Sequence, residues 1–216
     1  CFARAASHFS LKINIKKIEC LYQPVKLTRP PPVPVDIMIN NQALVKCTDF
    51  RYLGSTVSSN ARIDKEICYR IGNASAAFGK LQDRLWKNRH VSVRVKCKVY
   101  RAVVLTALLY GAETWTVYRA QVQRLHAYMM RQLRAIQNVT WQDKVTNKEI
   151  LERAGLPSMA DILIEKGLRW LGHVHRMGQE RLPRRLLYSQ LCEGKRNQGR
   201  PRLRFKDVAK RNMKWR

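Results

Sequence analysis

The sequence predicts an α+β protein, with a small antiparallel β portion over the first 58 residues. A mainly α-helical bundle and a helical, basic C-terminal region follow. Two observations carry this. Before residue 58, apolar and polar residues alternate with a period of two, which leaves one face of a strand in water. From residue 60, apolar residues recur at steps of three and four, the stripe of an amphipathic helix.

Residues 2–9 read as the tail of a helix, with Ala3, Ala5, Ala6 and Phe9 apolar. Leu11, Ile13 and Ile15 alternate with Lys12, Asn14 and Lys16, predicting a strand that residues 17–22 extend. The prolines between Pro24 and Pro34 exclude helix and central strand there. Val35, Ile37 and Ile39 alternate again, Asn40 and Asn41 tolerate positive φ, and Ala43–Val45 return, which is a hairpin signal. Phe50, Arg51, Tyr52 and Leu53 form a short strand that stops at Gly54 and a run of small hydroxyl residues.

The helical part begins with Ile63, Ile67, Ile71, Ala74, Phe78, Leu81 and Leu85, one continuous stripe at steps of three and four. A second helix is expected from Ser92 as N-cap through Cys97, Tyr100, Val104 and Leu108 to a stop at Gly111. A third carries Val122, Leu125, Met129, Leu133 and Ile136, and helices with one apolar stripe each pack as a bundle. Thr146 and Glu149 form a capping box for a shorter helix that Gly155 and Pro157 end. Another runs from Ser158 through Leu163 and Trp170 to about Val174. After Leu191 the chain turns glycine-rich and basic, and reads as a mobile or partner-ordered arm; a last basic helix, Phe205–Trp215, follows it.

Charge bounds the function more tightly than anything else in the composition. The 216 residues hold 42 Lys and Arg against 15 Asp and Glu, a net charge of +27. Self-repulsion on that scale is relieved by a polyanion, so nucleic acid is the expected partner. Over residues 169–216 Lys and Arg outnumber acids fifteen to three, and Arg dominates. Forked guanidinium contacts to phosphate, with Phe205 and Trp215 stacking on unpaired bases, suit RNA there; a nuclear localisation signal is the compatible second reading. The six cysteines stand singly, without the close pairs of a zinc knuckle, and read as reduced, intracellular thiols. No signal peptide and no apolar run long enough for a bilayer is found, so no membrane partner is expected.

Catalytic patterns are missing. Two-metal chemistry needs clustered carboxylates, yet the acids are scattered and no Asp-Asp pair occurs. Glu113 and Asp143 read as paired structural acids. No Gly-x-Ser-x-Gly elbow is found, and Gly194–Gly199 lacks Walker spacing. His173 and His175 can chelate, but with Cys192 alone nearby no metal site is expected, and packing beside Trp170 is the favoured reading. On its own residues the chain is not expected to be an enzyme.

Thr-Asp-Phe-Arg-Tyr-Leu-Gly-Ser-Thr-Val at 48–57 resembles the tyrosine-leucine-glycine primer grip of reverse transcriptases from non-LTR retrotransposons. Phe9–Glu19 resembles their fourth palm motif, although Ser10 stands where glycine is usual and Ile18 where threonine is usual. Glu66-Ile67 with Arg70-Ile71, Leu85-Trp86, Leu109–Trp115, Leu171–Met177 and Gly199–Pro201 follow in the family's order. Together they resemble the RTE-like group of LINE elements over residues 2–216.

That resemblance implies the end of the palm with its primer-grip hairpin at 1–58, a helical thumb at 59–140, a helical C-terminal domain at 141–191 and a basic arm at 192–216. Lys17, with Lys16 beside it, matches the lysine that lies near the incoming nucleotide and protonates the leaving pyrophosphate. The metal-binding aspartates would lie before Cys1, so the chain is expected to be a piece of a longer reading frame and inactive alone. Mg²⁺ and dNTP are implied for the full-length parent, with no cofactor in this piece. Template RNA and DNA primer or target are the implied partners. Their contacts are expected at Tyr52, Leu53 and Gly54, at Arg70, Lys80, Arg84, Lys87, Arg94 and Lys98 (with Arg89, Lys96 and Arg101), and at Lys195, Arg196, Arg200, Arg202 and Arg204. The alternative is a stand-alone, non-enzymatic RNA- or DNA-binding protein derived from a retrotransposon.

Overall fold

The computed structural model describes residues 2–23, 36–39, 41–189 and 203–214 and has an α+β fold. It divides into two compact units, 1–66 and 67–216. The Pro24–Pro34 loop, Asn40 and the 192–202 part of the arm lie outside the described residues.

The first unit holds α1 (Phe2–His8), a 3₁₀ turn (Ile15–Lys17), β1 (Glu19–Leu21), β2 (Met38–Ile39), β3 (Gln42–Ala43), β4 (Val45–Cys47), β5 (Asp49–Tyr52) and β6 (Ser55–Ser58). The expected strand from Leu11 is shorter than the alternation promised. Leu11–Asn14 has no regular structure, and only Glu19–Leu21 is a strand. Alternation makes a two-faced strand possible, but a strand also needs a partner for its backbone groups. Among the described residues β1 finds one in β4, in parallel, with Glu19 opposite Val45.

The Asn41 hairpin forms as expected: β2 and β3 are antiparallel, and Asn41 has φ 61°. The hydroxyl run after Gly54 is itself a strand, β6, antiparallel to β5 with Asp49 opposite Ser58 and Tyr52 opposite Ser55. Asp49 ties this hairpin down. Ser58 Oγ donates to it at 2.6 Å, Thr48 Oγ1 at 2.8 Å, and Lys65 Nζ forms an ion pair with it. Lys65 first, then the two hydroxyls, hold the Asp49 carboxyl down at about 2.

The helical elements are α2 (Asp64–Gly79), α3 (Val93–Val99), α4 (Thr106–Leu108), α5 (Arg119–Gln137), α6 (Asn147–Ala154), α7 (Met159–Arg176), α8 (Leu182–Tyr188) and α9 (Phe205–Lys214). The stripe expected to run unbroken to Leu85 instead stops with α2 at Gly79, and Gln82–Trp86 winds as a π turn. Trp86 folds back, its indole N–H donating to the Phe78 carbonyl at 2.8 Å while the two rings stack with centroids 4.8 Å apart. That carbonyl is the one an α-helix would need for its next turn.

The second helix keeps its expected ends. Ser92 Oγ accepts from Val95 N–H, and Gly111 takes the left-handed conformation at φ 75°. Between α3 and α4 the residues Tyr100–Leu105 form a π turn, and Val104, Leu105, Leu108 and Leu109 are all buried around it. Thr146 caps α6 by accepting from Glu149 N–H, and Gly155 ends it at φ 63°. Ser158 caps α7 in the same way through Asp161 N–H. No apolar stripe predicts α8; Pro183 at its first turn is the available sequence signal.

The core of the second unit gathers on α5, where Leu125, Met129, Leu133 and Ile136 have no exposed surface. Helix α5 packs against α3, α6 and α7, and α7 against α9. Each fully buried aliphatic or methionine side chain stabilises the fold by about 1.5–3 kcal/mol.

Candidate nucleic-acid interface

In the first unit the candidate surface is the β5–β6 tip. Because Tyr52 pairs with Ser55, Leu53 and Gly54 are a two-residue turn, and both have positive φ, 49° and 80°. Such a turn favours Asn or Asp at its first position; a larger L-residue held left-handed costs about 1–2 kcal/mol. Leu53 is nonetheless 76% exposed, and Tyr52 is exposed beside it. The turn therefore spends backbone strain to hold an apolar side chain out in water. Strain of that kind clusters at binding sites. Lys17 lies in the same unit, exposed at the end of the 3₁₀ turn instead of on a strand face, with Lys16 exposed next to it.

In the second unit Lys80, Arg84, Lys87, Arg94 and Lys98 all lie on the surface, as do Arg89 and Arg101. Arg94, Lys98 and Arg101 follow at steps of four and three, one row on the outward face of the second helix. The opposite face carries the buried Cys97, Tyr100, Val104 and Leu108. Packing thus fixes which way the cations point. Lys87 is partly engaged, with Asp83 at 2.8 Å.

Two of the expected phosphate contacts are in the interior. Arg70 is 5% exposed, its guanidinium 4.6 Å from the centre of the Tyr110 ring. Lys96 is 3% exposed and donates from Nζ to the Trp86 carbonyl at 2.7 Å. Both sit on the inward side of their helices, where the aliphatic stem packs and the head finds an acceptor or a π face. They hold the bundle together and offer no charge to a ligand. In sequence they look like their exposed neighbours.

Of the arm, Lys195, Arg196, Arg200 and Arg202 lie outside the described residues. Arg204 is described, and forks onto Asp207 at 2.7 and 3.0 Å, which raises its pKa. The rest of α9 turns Phe205, Val208 and Ala209 inward and leaves Lys210, Arg211 and Lys214 outside.

Among the described residues no group of three or more His, Cys, Asp or Glu could hold a metal. Glu113 faces Lys166 at 3.7 Å, and Asp143 accepts from the Thr140 N–H and hydroxyl, which lowers its pKa. His173 packs 5.5 Å from Trp170, the packing role expected of it, while His175 Nδ1 meets the Tyr188 hydroxyl at 2.7 Å. Among the described residues no helix is long and apolar enough to cross a membrane.

The sequence singles out nothing at Arg119 and marks Arg211 only as one of fifteen C-terminal cations; the fold brings both to one pocket beside Trp115, Tyr118 and Phe205. Only the packing of α5, α7 and α9 puts them together, so no local signal marks them as a pair.

Fold and surface define an α+β protein with a strained hairpin tip and a row of exposed cations. Over 211 residues the chain is 25% identical to a transposon-derived protein of Caenorhabditis elegans, covering 96% of this chain and 74% of that protein. No family model matches the chain, and no solved structure matches it.

Proposed function

We propose that this chain derives from a transposable element and is the C-terminal part of a LINE-type reverse transcriptase, gripping the RNA template and DNA primer. The observation that carries the reading is the Leu53–Gly54 turn. The segment whose wording matches a primer grip is a hairpin tip held out of the core at a cost in backbone strain. The ordered motifs over residues 2–216 and the similarity to a transposon-derived protein support it. The outward row Arg94, Lys98, Arg101 suits a thumb, which rests on phosphates and reads no sequence. Synthesis itself, with its magnesium ions, dNTP and Lys17 as proton donor to pyrophosphate, belongs to the whole polymerase, and its place of work would be the nucleus.

Binding of the purified chain to a labelled RNA–DNA primer-template, single-stranded RNA and duplex DNA across a salt series tests the reading. About six phosphate contacts give a log–log slope near −5 on duplex. Preference for the recessed primer-template is expected. Equal, weak binding to all three would refute the grip, and preference for single-stranded RNA alone would favour a stand-alone RNA-binding protein.

A further inference from the structure

We propose that the pocket between the start of α5, α7 and α9 holds one unpaired nucleotide, its base against the aromatic lining and its phosphate on Arg119 and Arg211. The inference rests on the nucleic-acid reading above and adds to it a site for a single base.

The pocket has a volume of about 390 Å³, at the lower end of the range for small-ligand sites and suited to one nucleotide. Val122, Leu163 and Val208 give it an apolar floor. Trp115, Tyr118 and Phe205 add aromatic surface, on which any base can stack because every base has a π face. Among the described lining residues, Arg119 and Arg211, both exposed, are the only ionisable side chains apart from the Tyr118 phenol, and none is a carboxylate. Gln123 and Asn212 bring amides that can meet a base edge. A purely hydrocarbon occupant would leave both guanidinium groups and both amides unused. An acidic peptide would leave the aromatic surface unused. A nucleotide uses all three kinds of group.

The walls are also set in advance. Tyr118 N–H donates to the Gln121 side chain at 2.9 Å, and the Tyr118 hydroxyl accepts from Leu203 N–H at 3.3 Å. The start of α5 is thereby tied to the residues that lead into α9. Ordering the walls before the ligand arrives reduces the entropy lost on binding.

The test compares the full chain on two single strands of about ten nucleotides, within the usual site size for such binding: oligouridine, and an abasic strand of equal length and charge. Stacking of one base should favour oligouridine by about 5- to 160-fold. Ala160→Phe, which fills the pocket from the exposed first turn of α7, should bind both strands equally while its affinity for primer-template stays unchanged. Arg211→Gln, an exposed change that spares the fold, should weaken binding of oligouridine more than that of the abasic strand. Equal binding of both strands by the wild type, or a preference that survives both substitutions, overturns the pocket. If primer-template binding persists in that case, only the pocket falls. If the chain binds no nucleic acid at all, the grip reading falls and takes the pocket with it.

Discussion

Removing the row Arg94, Lys98 and Arg101 by substitution to Gln should change how binding responds to salt much more than it changes stability. These residues span seven positions, about 10 Å at a rise of 1.5 Å per residue. That matches about three nucleotide steps at 3.4 Å each along one strand. If each cation neutralises one phosphate, the log–log slope on primer-template should fall by roughly 2.7, at 0.9 per contact. Between 50 and 200 mM salt the affinity ratio of wild type to variant should then shrink about 40-fold. All three side chains are exposed, so each substitution should change the unfolding free energy by no more than about 0.5 kcal/mol. Fluorescence anisotropy at four or more salt concentrations, with circular dichroism as a folding control, measures both. An unchanged slope in a folded variant would refute the placement of this row on phosphate.

Leu53→Asn should relieve the left-handed strain, stabilise the β5–β6 hairpin by about 1 kcal/mol, and weaken primer-template binding. Amide exchange of the hairpin and the binding assay read the two effects, and unaltered binding would count against Leu53 as a contact. Trp86→Ala removes a nearly buried ring and its hydrogen bond to the Phe78 carbonyl, and should cost about 3–5 kcal/mol in denaturant unfolding. Lys96→Met leaves the Trp86 carbonyl without that donor and should cost about 1–3 kcal/mol with no change in salt slope; lost binding at unchanged stability would put Lys96 on the ligand after all. Asp49 has its folded pKa lowered from 3.8 to about 2, so its contribution is complete above pH 4 and lost as pH falls towards 2. An acid titration followed by NMR should show the hairpin loosening over that window, and Asp49→Asn should flatten the change.

The sequence by itself determined the class, the order of the helices apart from α8, and those helix ends that a capping residue marks. Those are local matters: Ser92, Thr146 and Ser158 accept the first backbone N–H groups, while Gly111 and Gly155 adopt the φ that stops a helix. It also marked Tyr52, Leu53 and Gly54, but through their resemblance to a primer grip; the strand expected to include Leu53 ends at Tyr52, and Leu53 stands in the turn instead. Tertiary structure alone decided which strand β1 pairs with and which cations face water. Leu11–Asn14 alternates as well as any strand, yet regular pairing goes to Glu19–Leu21, where β4 supplies a partner. Arg70 and Lys96 carry the same charge as Arg94 and Lys98, yet they point into the bundle, where Tyr110 and the Trp86 carbonyl receive them. The pocket with Arg119 and Arg211 exists only because α7 brings α5 and α9 together. Periodicity reports which face of an element is apolar; what that face meets, and which polar groups are carried inward with it, depends on contacts between residues far apart in the chain.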